Sequence, residues 1–135
     1  MTKAVVLRPR AHRDILETFA FLKAESPEAA VRFRNGVERV VRMLGAHPGM
    51  GSMRHAEICP ELPAPLRFHP LAEFPRILVY YVERADSVEI VRIWDAARGL
   101  EALLIDPDDR FARELGPSYR RASRPASTAE YLLPG

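Results

Sequence analysis

The stretch LRFHPLAEFPRILVYYVERADSVEIVRIWDAARGLEALL, residues 66–104, decides the fold. Within it, Ile77-Leu78-Val79-Tyr80-Tyr81-Val82 and Val88-Glu89-Ile90-Val91-Arg92-Ile93-Trp94 are rich in the β-branched and aromatic residues that suit a pleated, buried surface. Glu83 to Ser87 supplies a polar connection between them, so the pair reads as an antiparallel hairpin. A short strand opening at Leu66-Arg67 precedes it, and a turn ending in Ala97-Arg98-Gly99 follows. Strict alternation puts Val88, Ile90 and Arg92 on one side of the second long strand and Glu89, Val91 and Ile93 on the other. Neither side is purely polar, so both faces of the sheet are expected to be covered at least in part.

Upstream of the hairpin, Ala4 to Arg8 reads as a first strand. Pro9 then stands in the first turn of a helix running to about residue 24, where its missing N–H costs nothing. Ile15, Phe19 and Leu22 recur at i, i+4 and i+7 and form its buried stripe, with Arg10, Arg13, Asp14 and Glu17 read off that stripe. Ser26-Pro27-Glu28 opens a second helix to about residue 46, with Ser as N-cap, and Ala30, Phe33, Val37, Val40, Val41 and Leu44 as its buried face. Gly36 inside it suggests a close helix contact. The short connection between the helices predicts an antiparallel pair on one face of the sheet. The fold class is therefore α+β: a small antiparallel sheet of mixed strand order under a two-helix hairpin.

Arg32, Asn35, Arg39 and Arg42 fall on the opposite face of the second helix, toward solvent. From Gly51 to Pro65 the chain reads as a Pro-containing loop, either mobile or binding. Asp106-Pro107-Asp108-Asp109 looks like the start of a helix ending near residue 115, and residues 116–135 read as a tail disordered by itself. That divides the chain into a domain at 1–105 and a C-terminal helix and tail at 106–135.

The length of 135 residues suits one domain. No apolar run is long enough to span a bilayer, the apolar part of the N-terminus is too short for a signal peptide, and a lone Cys59 fits a reducing compartment. A cytoplasmic protein without membrane attachment is expected. The formal net charge is only +2, yet all but Lys3 and Lys23 of the 20 basic residues are arginine. Arginine presents a planar fork suited to carboxylates and phosphates.

Motifs for catalysis are missing. His55 and Cys59 share a near spacing without the paired ligands of a zinc site, so no metal or cofactor is expected. Gly49-Met50-Gly51 follows a helix and precedes no Lys-Ser/Thr pair, which excludes a phosphate loop. Glu57 and Glu61 lie in the Pro-rich loop, where nothing would raise a carboxyl pKa. What remains is arginine on the sheet: Arg67 and Arg76 flank the first two central strands, Arg92 lies inside the third and Arg98 follows it. An arginine within an apolar strand needs a partner or a path to water, so Arg92 is expected either to act functionally or to pair with Glu89, Asp95 or a helix glutamate. Arg98, in a turn of small residues, is the best single functional candidate.

Several of these features together resemble the ParE branch of the RelE/ParE toxins. They are the order of elements, the Ser-Pro-Glu-Ala-Ala helix start, the leucine, proline and glycine pattern between Leu44 and Gly51, and the Leu66-Arg67 and Ala97-Arg98 pairs. The family's last strand usually ends in a His-Gly-Ala-Arg-Asp type sequence; Asp95-Ala96-Ala97-Arg98-Gly99 keeps the arginine and lacks the histidine and the final acid. The resemblance implies a type II toxin neutralised by a ParD-like antitoxin, with DNA gyrase as the target of a non-catalytic poison and Arg98, Arg67, Arg92 and Arg76 as candidate target contacts. Arg32, Arg39 and Arg42 are candidate antitoxin contacts. Two alternatives stay open. One is a RelE-like endoribonuclease acting on mRNA at the ribosome, whose C-terminal tyrosine would fall at Leu104, leaving Tyr80 or Tyr81 to replace it. The other is a non-toxic scaffold that binds antitoxin or DNA. A homodimer or a toxin-antitoxin hetero-oligomer is compatible with each.

Overall fold

The structure, a computed structural model, describes residues 2–100 and 102–103. Leu104, the helix read near 106–115 and the tail lie outside the described residues. In chain order the elements are β1 (Ala4–Leu7), α1 (Pro9–Glu25), α2 (Pro27–Ala46), β2 (Arg67–Pro70), β3 (Ile77–Glu83) and β4 (Ser87–Asp95), with short 3-10 turns at Pro48–Met50, Ala56–Ile58 and Ala96–Arg98. The sheet order is β1-β4-β3-β2. β2, β3 and β4 are antiparallel neighbours, and β1 joins β4 in parallel, pairing Leu7 with Ile90 at its end.

Local sequence explains the helix hairpin. Pro9 and Pro27 each occupy a first helical position, and Ser26 serves both helices. Its backbone N–H donates to Leu22 O at 2.7 Å, closing α1, and its Oγ accepts from Ala29 N at 3.2 Å, opening α2. One residue therefore ends one helix and caps the next, and the pair turns back tightly.

Two apolar layers sandwich the sheet. On the helix side Ile15, Phe33, Val37, Tyr81, Ile90 and Ile93 belong to one buried cluster. On the other side Leu66, Leu78, Tyr80, Val91, Trp94 and Leu103 form a second. The chain before β2 covers this second face through Leu62, Ala64 and Leu66, and the chain after β4 through Leu100 and Leu103. The loop read as mobile or binding is thus a cover: Ser52 bridges Phe68 across β2, and Tyr81 Oη accepts from Gly51 N at 2.8 Å and donates to Pro48 O at 2.7 Å.

Strict alternation along β4 does not hold. The register slips between Tyr80 and Tyr81: Arg92 faces Tyr80, but Ile90 faces Tyr81, leaving Val91 as an extra residue. A bulge of this kind resets the alternation, so Ile93 joins Ile90 on the helix side while Val91 and Trp94 share the far side. Asp14, read as lying off the buried stripe of α1, is 3% exposed. Gly36 makes no close helix contact; a Cβ there would lie an ordinary 3.9 Å from Leu71 Cδ1. Among the described residues, no helix is long and apolar enough to cross a membrane.

Candidate functional site

The four sheet arginines sort into different environments. Arg67, at the start of β2, donates through Nη1 to Gly49 O at 3.2 Å and Gly51 O at 3.0 Å, so it braces the turn after α2. Arg92 is 3% exposed. Its Nε and Nη2 donate to the two Asp14 carboxylate oxygens at 2.7 and 2.9 Å, and its Nη1 donates to Leu103 O at 2.7 Å. The expected pairing of Arg92 is therefore found with a different acid, one contributed by α1. Beyond the end of β1, Asp14 Oδ2 also accepts from the backbone of Ile93 at 3.1 Å, so its carboxylate takes up an N–H that β1 no longer reaches. Arg76 is exposed and 3.6 Å from Asp95.

Arg98 is exposed at the far end of β4. Its guanidinium carbon lies 4.1 Å from the centroid of the Trp94 ring, and that of Arg92 lies 4.6 Å from the same centroid. The turn that carries Arg98 is fixed at several points. Asp95 Oδ1 accepts from Ala97 N at 2.9 Å, Trp94 Nε1 donates to Gly99 O at 2.8 Å, and Gly99 has a positive φ of 75° that favours glycine. The structure thus brings Arg76 and Arg98 to one end of the sheet, while Arg92 starts three residues inside the end of β4 and reaches the same Trp94 ring from there. Arg67 pairs with Tyr81, four residues along β3 from the Ile77 that pairs with Asp95, or about 13 Å of strand.

Arg98 also lines a groove between α1 and the ends of β3 and β4, together with Glu17, Thr18, Phe21, Ile77 and Asp95. Phe21 is 65% exposed, an unusual state for a phenylalanine beside an exposed arginine. The groups lining this groove that could move a proton are the carboxyls of Asp14, Glu17 and Asp95; no histidine or tyrosine lines it. Tyr80 is fully buried on the Trp94 side, its Oη 2.8 Å from His55 Nδ1, and burial pushes its hydroxyl up to about 12. Tyr81 is fully buried on the helix side and burial raises it as well. Among the described residues, no group of three or more His, Cys, Asp or Glu could hold a metal ion.

A second groove runs along α2. Arg32, Asn35 and Arg39 border it, Gly36 and Met43 continue its floor, and the connection between β2 and β3, with Leu71 and Phe74, walls it. Arg32 Nε is 3.6 Å from Glu73 across its rim. Arg42 is exposed on the same helix without lining the groove.

Sequence reasoning missed Asp14, Trp94 and Phe21. Asp14 stands three residues after the buried Ala11 and just before Ile15, so helical spacing could have placed it inward. Trp94 is the sole tryptophan, adjoining the turn. Helical spacing could have found Phe21, since it falls off the Ile15, Phe19 and Leu22 stripe that packs against the core.

A family model for the ParE toxin of type II toxin-antitoxin systems, parDE, matches residues 5–100. Among solved structures, a chain described as "Chromosomal ParDE TA system from P. aeruginosa" is similar in fold, with a TM-score of 0.54 and 17% identity over 68% of this chain and 94% of its own. No curated protein matches the sequence.

Proposed function

Since this chain belongs to the ParE toxin family of type II toxin-antitoxin systems, we propose that it acts in the cytoplasm by binding DNA gyrase, without catalysis, and that Arg98 is part of the binding surface. One observation carries this reading: the surroundings of Arg98 suit a protein partner better than a scissile phosphate. Cleaving RNA calls for several positive charges over the developing phosphorane and a group that moves a proton. Arg98 instead shares its groove with Glu17, Asp95 and an exposed Phe21. Both hairpin tyrosines are buried with their hydroxyls engaged. Aromatic and arginine side chains side by side are the common anchors of protein interfaces.

Arg76, beside Asp95, extends the same surface. Arg92 supports it from inside, and Arg67 stands too far along the sheet to join it.

The partner that silences the toxin is a ParD-like antitoxin whose C-terminal segment folds on binding. Its place is the groove along α2, where Arg32 and Arg39 offer forks for acidic side chains and Met43, Leu71 and Phe74 offer an apolar lining. Arg42 extends the positive face by one turn. The test is a cleavage assay with purified gyrase and supercoiled plasmid. Linear DNA that accumulates with the toxin, and disappears when antitoxin is added first, supports the reading; unchanged gyrase activity, with mRNA cut in a translation extract, replaces it with the ribonuclease.

A further inference from the structure

Arg98 has an unusual local partner. Among the described residues its guanidinium has no hydrogen bond or ion pair; its contact is the face of Trp94, 4.1 Å from the ring centroid. The ring itself has little freedom. It is 1% exposed, its Nε1 donates to Gly99 O, and it packs in the cluster that contains Leu66, Leu78 and Leu103. Arg92, whose guanidinium carbon is 4.6 Å from the same centroid, is held by Asp14 and by Leu103 O.

We propose that Trp94 is a positioning residue: its indole is a shelf that fixes the exposed Arg98 guanidinium in the orientation that meets the target. The proposal rests on the reading of Arg98 as a target contact. A cation lying on an aromatic face is held by the ring's quadrupole, while the N–H donors in the guanidinium plane stay available for acceptor oxygens of a protein partner. A free arginine loses much rotamer freedom when it is captured. One already lying on a rigid ring loses less, and preorganisation of a single long side chain amounts to about 2- to 10-fold in affinity. Trp94 touches no partner in this arrangement and acts entirely through Arg98.

The test uses the full-length protein and three variants. In the NMR spectrum of the native chain, the Arg98 side-chain δ and ε protons should be shifted upfield by the ring current, and Trp94→Leu should return them to values of a free arginine. In cells, Trp94→Leu should weaken toxicity in the same direction as Arg98→Ala, while Trp94→Phe, which keeps an aromatic face, should retain most of it. If Trp94→Leu does not fold, the native spectrum and Trp94→Phe carry the test. Free-arginine shifts in the native protein overturn the shelf. So does full toxicity in folded Trp94→Leu when Arg98→Ala has lost it, or lost toxicity in a folded Trp94→Phe that keeps the upfield shifts. Full toxicity of Arg98→Ala is a different failure, which overturns the target-contact reading and the shelf with it.

Discussion

Replacing Arg98 by alanine removes a side chain that is exposed and, among the described residues, bound only to the face of the Trp94 ring. Cation–π contacts at exposed sites are worth about 0.5–1 kcal/mol, so the variant should unfold within about 1 kcal/mol of the native protein while losing toxicity. Chemical denaturation and growth after induction check the two halves separately, and a grossly unfolded variant would remove Arg98 from the surface. Asp14→Ala should behave in the opposite way. It leaves the Arg92 guanidinium buried without its carboxylate and frees the Ile93 N–H, and breaking a buried pair on one side costs about 3–5 kcal/mol. A denaturation midpoint unchanged by Asp14→Ala would show that Arg92 is not held as described. At this scale the sequence showed that Arg92 needs a partner but not which one. The carboxylate comes from 78 residues earlier, and no local pattern connects them.

The elements were more legible. Proline at the first helical positions, the Ser26 cap and the 3.6-residue spacing placed both helices, and the β-branched runs placed β3 and β4. The bulge was not legible, because both Val91 and Arg92 fit a strand, and only the pairing with Tyr80 and Tyr81 reveals the extra residue. The cover before β2 was equally hidden, since its fixation depends on a close approach. A Cβ on Gly51 would collide with the Tyr81 hydroxyl and come within 2.7 Å of its ring Cε1. Gly51→Ala must displace either that buried ring or the turn it holds, and overpacking of this kind costs about 1–3 kcal/mol. Urea denaturation measures it, and a cost near zero would mean the turn yields freely.

The same cover makes stability depend on pH. Burial lowers the pKa of His55, and of His12 and His69, below the ordinary value near 6.5. A neutral His55 can accept the Tyr80 hydroxyl proton at Nδ1, and a protonated one cannot. Histidines of the unfolded chain take up protons first as pH falls, so stability present above about pH 6.5 is lost progressively down to the folded-state values. Melting temperatures between pH 7.5 and 5.5 should therefore fall with pH, and His55→Gln should flatten the slope. A slope unchanged in that variant would exclude His55 as a contributor.

For the molecule as a whole, one mixed sheet with apolar layers on both faces positions two unlike surfaces. The end of β4 presents Arg98 on Trp94, beside Arg76, Asp95 and Phe21, and α2 presents Arg32 and Arg39 along a groove. The α+β architecture was readable because each element carries its own local signal. The sites were readable only as a set of arginines, since their sorting into buried, bracing and exposed depends on contacts between distant segments. Substitution of Arg98 should leave antitoxin binding intact, and substitution of Arg32 with Arg39 should weaken neutralisation while leaving toxicity. Pull-down with the antitoxin checks both, and one variant that lost both properties would merge the two surfaces.

Whether the toxin poisons gyrase by binding is decided by inducing the chain in bacteria without antitoxin and measuring the DNA-damage response. Gyrase poisoning gives arrest with a strong damage response that Arg98→Ala reduces. Arrest without any damage response, accompanied by cut mRNA, would contradict it.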